Sequence, residues 1–422
     1  MFHRIKTIYL SLMMVLFLIS DFSFAKGRDT SFAPYKPNAK DSFVSTLLGF
    51  CKRPNKSLFG LAKIETKKFN DKELQKPVQV KYALHSKVEK PKSRLRNLQQ
   101  KLNEKKTYTP LKSPLVFVFP GSFGSVSGID STRFIHDYIQ LGHHVVTFPS
   151  PLHPSFVSLK ASYKPGDFVN EAKTFYRLMQ KIISDLESRN LVDRNNIRLS
   201  GLSYGAFLAT IITALDGEQL KLLTGETTLI SPPADYGKSV EILDQYILEV
   251  AEKSSEQGFF GIIGDYFKVC SNEASQEELQ FNAKALSVYH SFQKNLVKMT
   301  DKYLKTHDLP VKSQGKSKWQ KEFTFKNYFD LYAPELWGFY TSELATLKYW
   351  VDRAQKESNN ILIISAKDDW LNESDAWDLY PEEQLLLVEH GGHYGFRNTS
   401  WFASVLKGIF SLPKKVAGTI FE

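Results

Sequence analysis

The sequence predicts an α/β fold, with a mostly parallel sheet, helices on both faces and an inserted helical cap. Short apolar runs alternate with amphipathic stretches of helical spacing over residues 113–234. This alternation is typical of a parallel sheet that is buried on both faces. Over residues 235–350 helical spacing and aromatic side chains dominate instead, and the alternation resumes over 351–422. The middle segment is therefore interpreted as a cap inserted into one α/β core.

The predicted strands and helices follow from these patterns in chain order. Residues 26–60 show little periodicity and are expected to be an irregular lead-in, and residues 78–84 alternate like an early strand. We predict buried strands over 114–120, 144–148, 197–202, 227–230, 360–365 and 384–388. We predict helices over 131–140, 169–186, 206–215, 240–251, 276–303, 342–354, near 373–377 and over 400–410.

Composition limits the classes of protein that this chain can be. It has 422 residues, 42% of them hydrophobic and only two of them cysteines. A sizeable apolar core is therefore available, and both a disulfide-dense scaffold and a cysteine-rich metal protein are excluded. Cys51 and Cys270 can pair if the chain is exported, but the sequence alone leaves that bridge open.

Residues 1–25 have the pattern of a secretory signal peptide. Arg4 and Lys6 precede an apolar run of about a dozen residues, and small residues stand at the expected cleavage site before Lys26. The run is shorter than the ~20 residues that span a bilayer. We expect an exported protein, periplasmic or secreted after cleavage.

The net charge of +10 is concentrated in one segment. Residues 26–112 contain 22 Lys and Arg against seven acidic residues, whereas residues 113–422 contain 31 against 37. This basic N-terminal arm, with its early strands, lacks the interleaved aromatics of nucleic-acid binders, so no nucleic-acid partner is predicted. A solvated face is the simplest interpretation, and peripheral contact with anionic membrane or envelope polymer is the alternative.

The strongest chemical motif lies at residues 201–205, which read Gly-Leu-Ser-Tyr-Gly between a predicted strand and a predicted helix. A sharp strand-to-helix turn of this composition exposes the central Ser203 as a nucleophile. The turn also places the Tyr204 N–H at a helix N-terminus, where it can stabilise an oxyanion. The N–H of Ser122 or Phe123, in the Gly-rich loop after the first core strand, is the expected second donor.

A serine nucleophile needs a base and an acid that orients it. His393 follows two glycines after the last predicted strand and is favoured as the base over His390. The acid is expected after the preceding strand, where Asp369 is favoured over Asp368 by its spacing of three residues from Ala366. This chemistry needs no cofactor, and the spacing of histidines and carboxylates predicts no metal site.

The segments GLSYGA (201–206), AKDDWL (366–371) and EHGGHYGF (389–396) resemble the serine α/β-hydrolase superfamily, most closely its YheT-like esterase branch. The resemblance implies an α/β-hydrolase fold, a catalytic triad of Ser203, Asp369 and His393, and hydrolysis of carboxylic esters or thioesters through an acyl-enzyme. The expected substrate is a small-molecule or lipid-like ester. A serine peptidase or amidase of the same fold and a non-catalytic envelope-binding protein are the alternatives.

Overall fold

The computed structural model describes residues 34–37, 39–51, 61–89, 107–255, 259–271, 275–310, 322–357 and 360–411. The expected signal peptide lies outside these residues, as do the basic clusters at 52–53, 90–96 and 105–106. Among the described residues, no helix combines the length and the apolarity needed to cross a membrane.

The centre of the molecule is a nine-stranded, mostly parallel sheet. Its strands are β1 (Ala62–Phe69), β2 (Val78–Glu89), β3 (Thr107–Pro110), β4 (Ser113–Phe119), β5 (His144–Thr147), β6 (Val192–Leu202), β7 (Thr227–Ile230), β8 (Ile361–Ala366) and β9 (Leu385–Val388). The spatial order is β1-β2-β5-β4-β6-β7-β8-β9, with β3 paired to β2. β2 is antiparallel to β1, β3 and β5, and the pairs from β5 to β9 are parallel. This is the sheet of an α/β-hydrolase fold, with β3 as an addition.

The α-helices of the described residues include those that cover both faces of this sheet. They are α1 (Ser42–Cys51), α2 (Ile129–Gln140), α3 (Pro154–Val157), α4 (Phe168–Ser188), α5 (Tyr204–Glu218), α6 (Tyr236–Ser255), α7 (Phe259–Ser271), α8 (Gln276–Lys284), α9 (Lys294–Thr306), α10 (Phe325–Tyr332), α11 (Trp337–Tyr340), α12 (Leu347–Lys356) and α13 (Ser400–Ser411). A π-helix, Ala285–Gln293, joins α8 to α9, and 3₁₀ turns lie at Pro334–Leu336, Glu343–Ala345, Glu382–Gln384 and Gly395–Asn398.

Two neighbouring positions of β6 show which helices bury the two faces of the sheet. The Ser200 hydroxyl accepts a 2.8 Å hydrogen bond from Tyr138 of α2. Gly201, the next residue, pairs with Phe119 of β4, whose ring lies 5.1 Å from that of Phe175 in α4. Successive residues of a strand point to opposite faces, so α2 and α4 cover opposite sides. Because both faces are covered, side chains on both sides of each central strand are buried, which explains why these strands are continuously apolar in sequence.

Helix α1 differs from the irregular lead-in that we expected over residues 26–60. The carboxylate of Asp41 accepts a 2.8 Å hydrogen bond from the Val44 N–H, which satisfies a donor at the start of the helix. Phe43, Val44 and Leu47 are buried. The prolines and lysines around this ten-residue segment made its helix cap and its apolar stripe hard to recognise in the sequence.

The helix expected near residues 373–377 is also absent: the structure has successive turns there, with Ala376 N–H bonded to the Glu373 carbonyl at 3.1 Å and Asp378 N–H to Asp375 at 3.0 Å. Elsewhere the expected elements are present with shifted ends. The largest extensions are five residues each: β6 begins at Val192 rather than at residue 197, and β2 ends at Glu89 rather than at residue 84. The helix expected over 276–303 is interrupted by the π-helix Ala285–Gln293.

A disulfide joins Cys51, the last residue of α1, to Cys270 in α7, across 219 positions of sequence. Their Cα atoms are 5.5 Å apart. The bridge closes a long loop, so in the chain-entropy picture it removes much conformational freedom from the unfolded chain. It also ties the N-terminal helix to a helix of the segment between β7 and β8.

Reduction of this bridge should destabilise the protein. We expect dithiothreitol to lower the free energy of unfolding by about 2–5 kcal/mol, measured by urea denaturation. The matched control is the Cys51→Ser/Cys270→Ser variant, whose unfolding curve should be the same with and without the reductant. A wild-type curve that does not respond to reduction would contradict the bridge.

Candidate active site

Ser203 occupies a strained turn between β6 and α5. Its φ of 53° and ψ of −124° lie outside the regions that a serine ordinarily adopts. Glycine is required on both sides: a Cβ on Gly201 would lie 2.2 Å from the Gly205 carbonyl oxygen, and one on Gly205 would lie 2.3 Å from the Pro120 oxygen. The Ser203 N–H bonds to the Ile230 carbonyl at 2.9 Å, which anchors the turn to β7.

The structure brings Ser203, Asp369 and His393 together from three separate loops. Nε2 of His393 lies 2.8 Å from the Ser203 Oγ, and Nδ1 lies 3.0 Å from each carboxylate oxygen of Asp369. The side chains of Asp369 and His393 are fully buried, and Ser203 is 5% exposed. In this arrangement the imidazole can accept the hydroxyl proton while the carboxylate stabilises the resulting cation.

Asp368 has a different environment from Asp369. Its Oδ1 accepts 2.8 Å hydrogen bonds from the N–H groups of both Gly391 and Gly392. Burial raises the pKa of this carboxyl, and the two N–H donors act against that shift. His390 is exposed, with its Nδ1 3.6 Å from Asp368. Asp368 therefore holds the loop that carries His393, and neither it nor His390 contacts Ser203 within the hydrogen bonds described.

Helix α1 supports the same loop from the other side. The Thr46 hydroxyl accepts hydrogen bonds from the His393 N–H at 2.9 Å and from the Trp370 indole at 3.2 Å, and it donates to the Ser42 carbonyl at 2.7 Å. Gly392, at a φ of 54°, packs so closely that a Cβ there would lie 1.9 Å from the Ser42 oxygen. A segment far away in sequence therefore sets the position of His393.

The loop after β4 lies against the nucleophile. A Cβ on Gly121 would be 3.5 Å from the Ser203 Cβ, and the Gly124 N–H closes the turn by bonding to the Gly121 carbonyl at 3.0 Å. Ser122 and Phe123 lie within that turn and line a cavity together with Ser203, and Phe123 has a φ of 61°. Tyr204 begins α5 immediately after the nucleophile. The three expected oxyanion donors thus surround Ser203, and their role remains a prediction.

A buried carboxyl lies next to the nucleophile turn. Glu171 of α4 accepts hydrogen bonds from the Tyr204 hydroxyl and from the Gly166 N–H, the latter at 2.8 Å. Burial raises the pKa of Glu171 to about 8, although these two donors lower it. The carboxyl is therefore protonated at neutral pH and can be accommodated without an ion partner.

This raised pKa makes stability depend on pH. Between pH 4.5, the ordinary pKa, and about 8, the folded state holds a proton that the unfolded chain releases. The free energy of unfolding should therefore fall as pH rises through this range, by up to about 1.4 kcal/mol per pH unit. Glu171→Gln, which does not titrate, should flatten that fall in urea denaturation.

The matched control for Glu171 is Glu382→Gln, because Glu382 is exposed and its loss should leave the pH dependence unchanged. A Glu171→Gln protein whose stability falls with pH as steeply as that of the wild type would contradict this account.

Two cavities meet at Ser203. The larger has a volume of about 610 Å³ and is lined by Thr46, Leu47, Phe50, Gly121, Ser122, Phe123, Gly124, Ser125, Gly128, Ile129, Asp130, Ser203, Ile262, Tyr266, Leu286, Ser287, His290, Ser291, Phe292, Asn295, Trp370 and Tyr394. The smaller holds about 20 Å³ and is lined by Ser122, Ser203, Tyr204, Pro233, Tyr236, Ser239, Val240, Leu243, Phe292, Phe325 and Leu371. Ser203 therefore lines two cavities of very different size.

Several of these residues had no signal in the sequence that marked them as part of a site. Thr46 and Phe50 belong to the segment that we interpreted as a lead-in, and the π-helix is indistinguishable from an α-helix by its apolar spacing. An acidic cap before α1 was the one available sign of that helix. Among the described residues, no group of three or more His, Cys, Asp or Glu is arranged to hold a metal ion.

The sequence matches no protein-family model and no curated protein. Solved structures with a similar fold include an esterase from Pyrococcus furiosus (TM-score 0.44, 10% identity, covering 84% of this chain and 92% of that one). A hyperthermophilic esterase from Pyrobaculum calidifontis has a TM-score of 0.41 and 13% identity, covering 88% and 90%. The acylaminoacyl peptidase of Pyrococcus horikoshii has a TM-score of 0.42 and 10% identity. The match covers 86% of this chain and 43% of that protein.

The chain therefore spans less than half of the length of that peptidase. At such low identities and TM-scores, the activities of these proteins are not transferred to this chain.

Proposed function

We propose that this protein is an exported serine hydrolase that cleaves a carboxylic ester or thioester through an acyl-enzyme. One observation carries the proposal: Ser203, on its strained turn, lies 2.8 Å from Nε2 of His393, whose Nδ1 faces the buried Asp369. A buried nucleophile, base and carboxylate in this geometry are the requirements for acyl transfer.

The proposed reaction has two halves. His393 takes the Ser203 proton as Oγ attacks the carbonyl carbon, and Asp369 stabilises the imidazolium. The N–H of Tyr204, with that of Ser122 or Phe123, stabilises the negative charge on the carbonyl oxygen. His393 then protonates the leaving group, and water attacks the acyl-enzyme by the same path in reverse.

Three arguments favour ester hydrolysis over the alternatives. The segments 366–371 and 389–396 resemble the YheT-like esterase branch. A peptidase that binds a substrate amine would need an unengaged carboxylate near the nucleophile. Among the described residues lining the large cavity, the carboxylate belongs to Asp130, which Arg397 holds at 3.4 Å. A non-catalytic binding protein would have no need for the strained backbone conformation of Ser203.

Export is part of the proposal, and two features support it. Residues 1–25 have the pattern of a signal peptide. The Cys51–Cys270 bridge is of a kind that persists in oxidising compartments such as the periplasm or the medium. Peripheral contact of the basic arm with anionic membrane or envelope polymer is consistent with such a location.

The experiment that tests the function uses a fluorophosphonate probe on the mature protein beside Ser203→Ala. The wild type should label and Ser203→Ala should not, because the probe reacts with an activated serine. Both are then assayed on p-nitrophenyl acetate and on aminoacyl anilides. Equal labelling of the two proteins, or none of either, would overturn the proposal, and anilide cleavage without esterase activity would establish the peptidase instead.

The two adjacent aspartates should differ sharply in their effect on catalysis. Asp369→Asn should lower kcat on p-nitrophenyl acetate by about 10⁴-fold, because the amide favours the wrong imidazole tautomer. Asp368→Asn is the matched control and should cost at most about tenfold, because its amide oxygen can keep accepting the two glycine N–H groups. A larger loss from Asp368→Asn than from Asp369→Asn would reverse the assignment.

A further inference from the structure

The two cavities at Ser203 differ so much in size, about 610 Å³ against about 20 Å³, that they define a substrate class. We propose that the substrate is an ester of a short acyl group, about two carbons long, with a bulky polyhydroxylic alcohol. The acyl group occupies the small cavity and the alcohol occupies the large one. This inference rests on the proposed hydrolase function and deepens it.

The position of His393 decides which cavity receives which group. The leaving oxygen must be close to Nε2, because His393 gives it a proton. Three residues that contact His393 line the large cavity: Trp370 and Tyr394 pack against its imidazole, with their rings 5.6 Å and 4.4 Å away, and Thr46 accepts a 2.9 Å hydrogen bond from its backbone N–H. None of these three lines the small cavity. The alcohol therefore leaves through the large cavity, and the acyl group lies opposite.

The small cavity has room for little more than a methyl group. A volume of about 20 Å³ is close to the minimum that admits one water molecule, for which about 10–15 Å³ is needed. Its walls include Val240 and Leu243 of α6, Phe325 of α10 and Leu371, each at most 5% exposed. Longer acyl chains would have to displace these packed side chains.

Hydrogen bonds hold those walls in place. The carboxylate of Asp244, next to Leu243, accepts 2.8 Å hydrogen bonds from the N–H groups of both Phe325 and Lys326, so α6 and the start of α10 are fixed to each other. The Ser239 hydroxyl is 2.7 Å from the Leu371 carbonyl, which joins α6 to the loop that carries Asp369. The narrowness is therefore built into the framework of the site.

The large cavity is suited to a polar group. Its 610 Å³ lies within the 300–1,000 Å³ typical of small-molecule sites. The Ser287 hydroxyl is buried, lines this cavity and has no hydrogen-bond partner within the described part of the chain. Such a group costs free energy unless a ligand satisfies it. The other polar side chains lining this cavity are Thr46, Ser122, Ser125, Asp130, Ser203, Tyr266, His290, Ser291, Asn295, Trp370 and Tyr394, beside apolar ones such as Leu47, Phe50 and Ile262.

The π-helix brings several of these polar groups to one side. The Ser291 hydroxyl donates to the Leu286 carbonyl, five positions earlier, at 2.8 Å. Short π-helical stretches occur frequently at functional sites. Burial, together with the positive charge of Lys294, lowers the pKa of His290 to about 4, so its ring is neutral near pH 7. It therefore offers hydrogen bonding without a charge, which suits a neutral alcohol.

The proposed step is an ordinary balanced hydrolysis. The Ser203 oxygen forms a bond to the acyl carbon, the bond from that carbon to the alcohol oxygen breaks, and the serine proton passes through His393 to the alcohol. Water then adds to the acyl carbon and returns a proton through His393 to Ser203. The products are a short carboxylic acid and the free polyhydroxylic alcohol.

Acyl length is tested with p-nitrophenyl esters of acetate, butanoate, hexanoate and decanoate. For the wild type we expect kcat/KM to fall at least about tenfold from acetate to hexanoate, because each excluded methylene costs a factor of about 10–200. Leu243→Ala should raise the hexanoate-to-acetate ratio about tenfold. Leu286→Ala, the same change in the large cavity, is the control and should leave that ratio unaltered.

The polar alcohol is tested with two acetates of similar size: methyl glucoside acetylated on its primary hydroxyl, and cyclohexylmethyl acetate. We expect kcat/KM for the glucoside to exceed that for the apolar ester. In Ser287→Ala the ratio of the two values should fall about tenfold, the worth of one hydrogen bond. A Ser287→Thr variant, which keeps the hydroxyl, should retain more of the ratio.

The outcomes separate this inference from the proposed function. Suppose that the probe labels Ser203. An acyl-length profile that stays flat up to decanoate, or a preference for the apolar alcohol, would then overturn this inference but not the proposed hydrolase function. Absence of labelling would overturn the function itself. Should Leu243→Ala fail to fold, Leu243→Val and the wild-type profile decide the matter.

Discussion

The complete burial of Asp369 and His393 is the constraint on which the rest of the site depends. Both side chains are inaccessible to solvent. A carboxylate removed from water is costly unless it is paired and hydrogen-bonded. Asp369 meets this requirement through Nδ1 of His393 and through the Leu371 N–H at 3.1 Å. The cover over the pair must then be apolar and closely fitted, and Trp370, stacked 4.8 Å from Phe43 of α1, supplies part of it.

The cover comes from the N-terminal segment, so the hydrolase core is not complete without that segment. Thr46 accepts the His393 N–H, and the backbone of Ser42 lies where only a glycine at position 392 leaves room. The Cys51–Cys270 bridge continues this support from α1 into α7, where Ile262 and Tyr266 line the large cavity. One covalent link thus connects the helix that positions His393 with a wall of the large cavity.

Local patterns allowed the fold to be predicted from the sequence, together with the grouping of Ser203, Asp369 and His393. A strand, two obligatory glycines and a helix lie within a few residues of Ser203, and each of the other two residues follows its own strand. The contribution of α1 could not be predicted in this way. Thr46 and His393 are 347 positions apart, and only packing brings them together. The two cavities likewise depend on how the helices after β7 pack, which periodicity does not encode.

The basic arm shows how a charge count can mislead about function. Within residues 61–89, Lys67 binds Asp185 of α4 at 2.5 Å, and Glu65 binds Arg189, the residue that follows this helix, at 2.9 Å. These ion pairs fix the edge strand β1 to the helix beside it, and lysines on an edge strand also discourage pairing with other chains. Part of the positive charge therefore serves the fold. Charges already paired with carboxylates contribute little to a long-range field, so Lys67 adds little to any attraction of the arm to anionic surfaces.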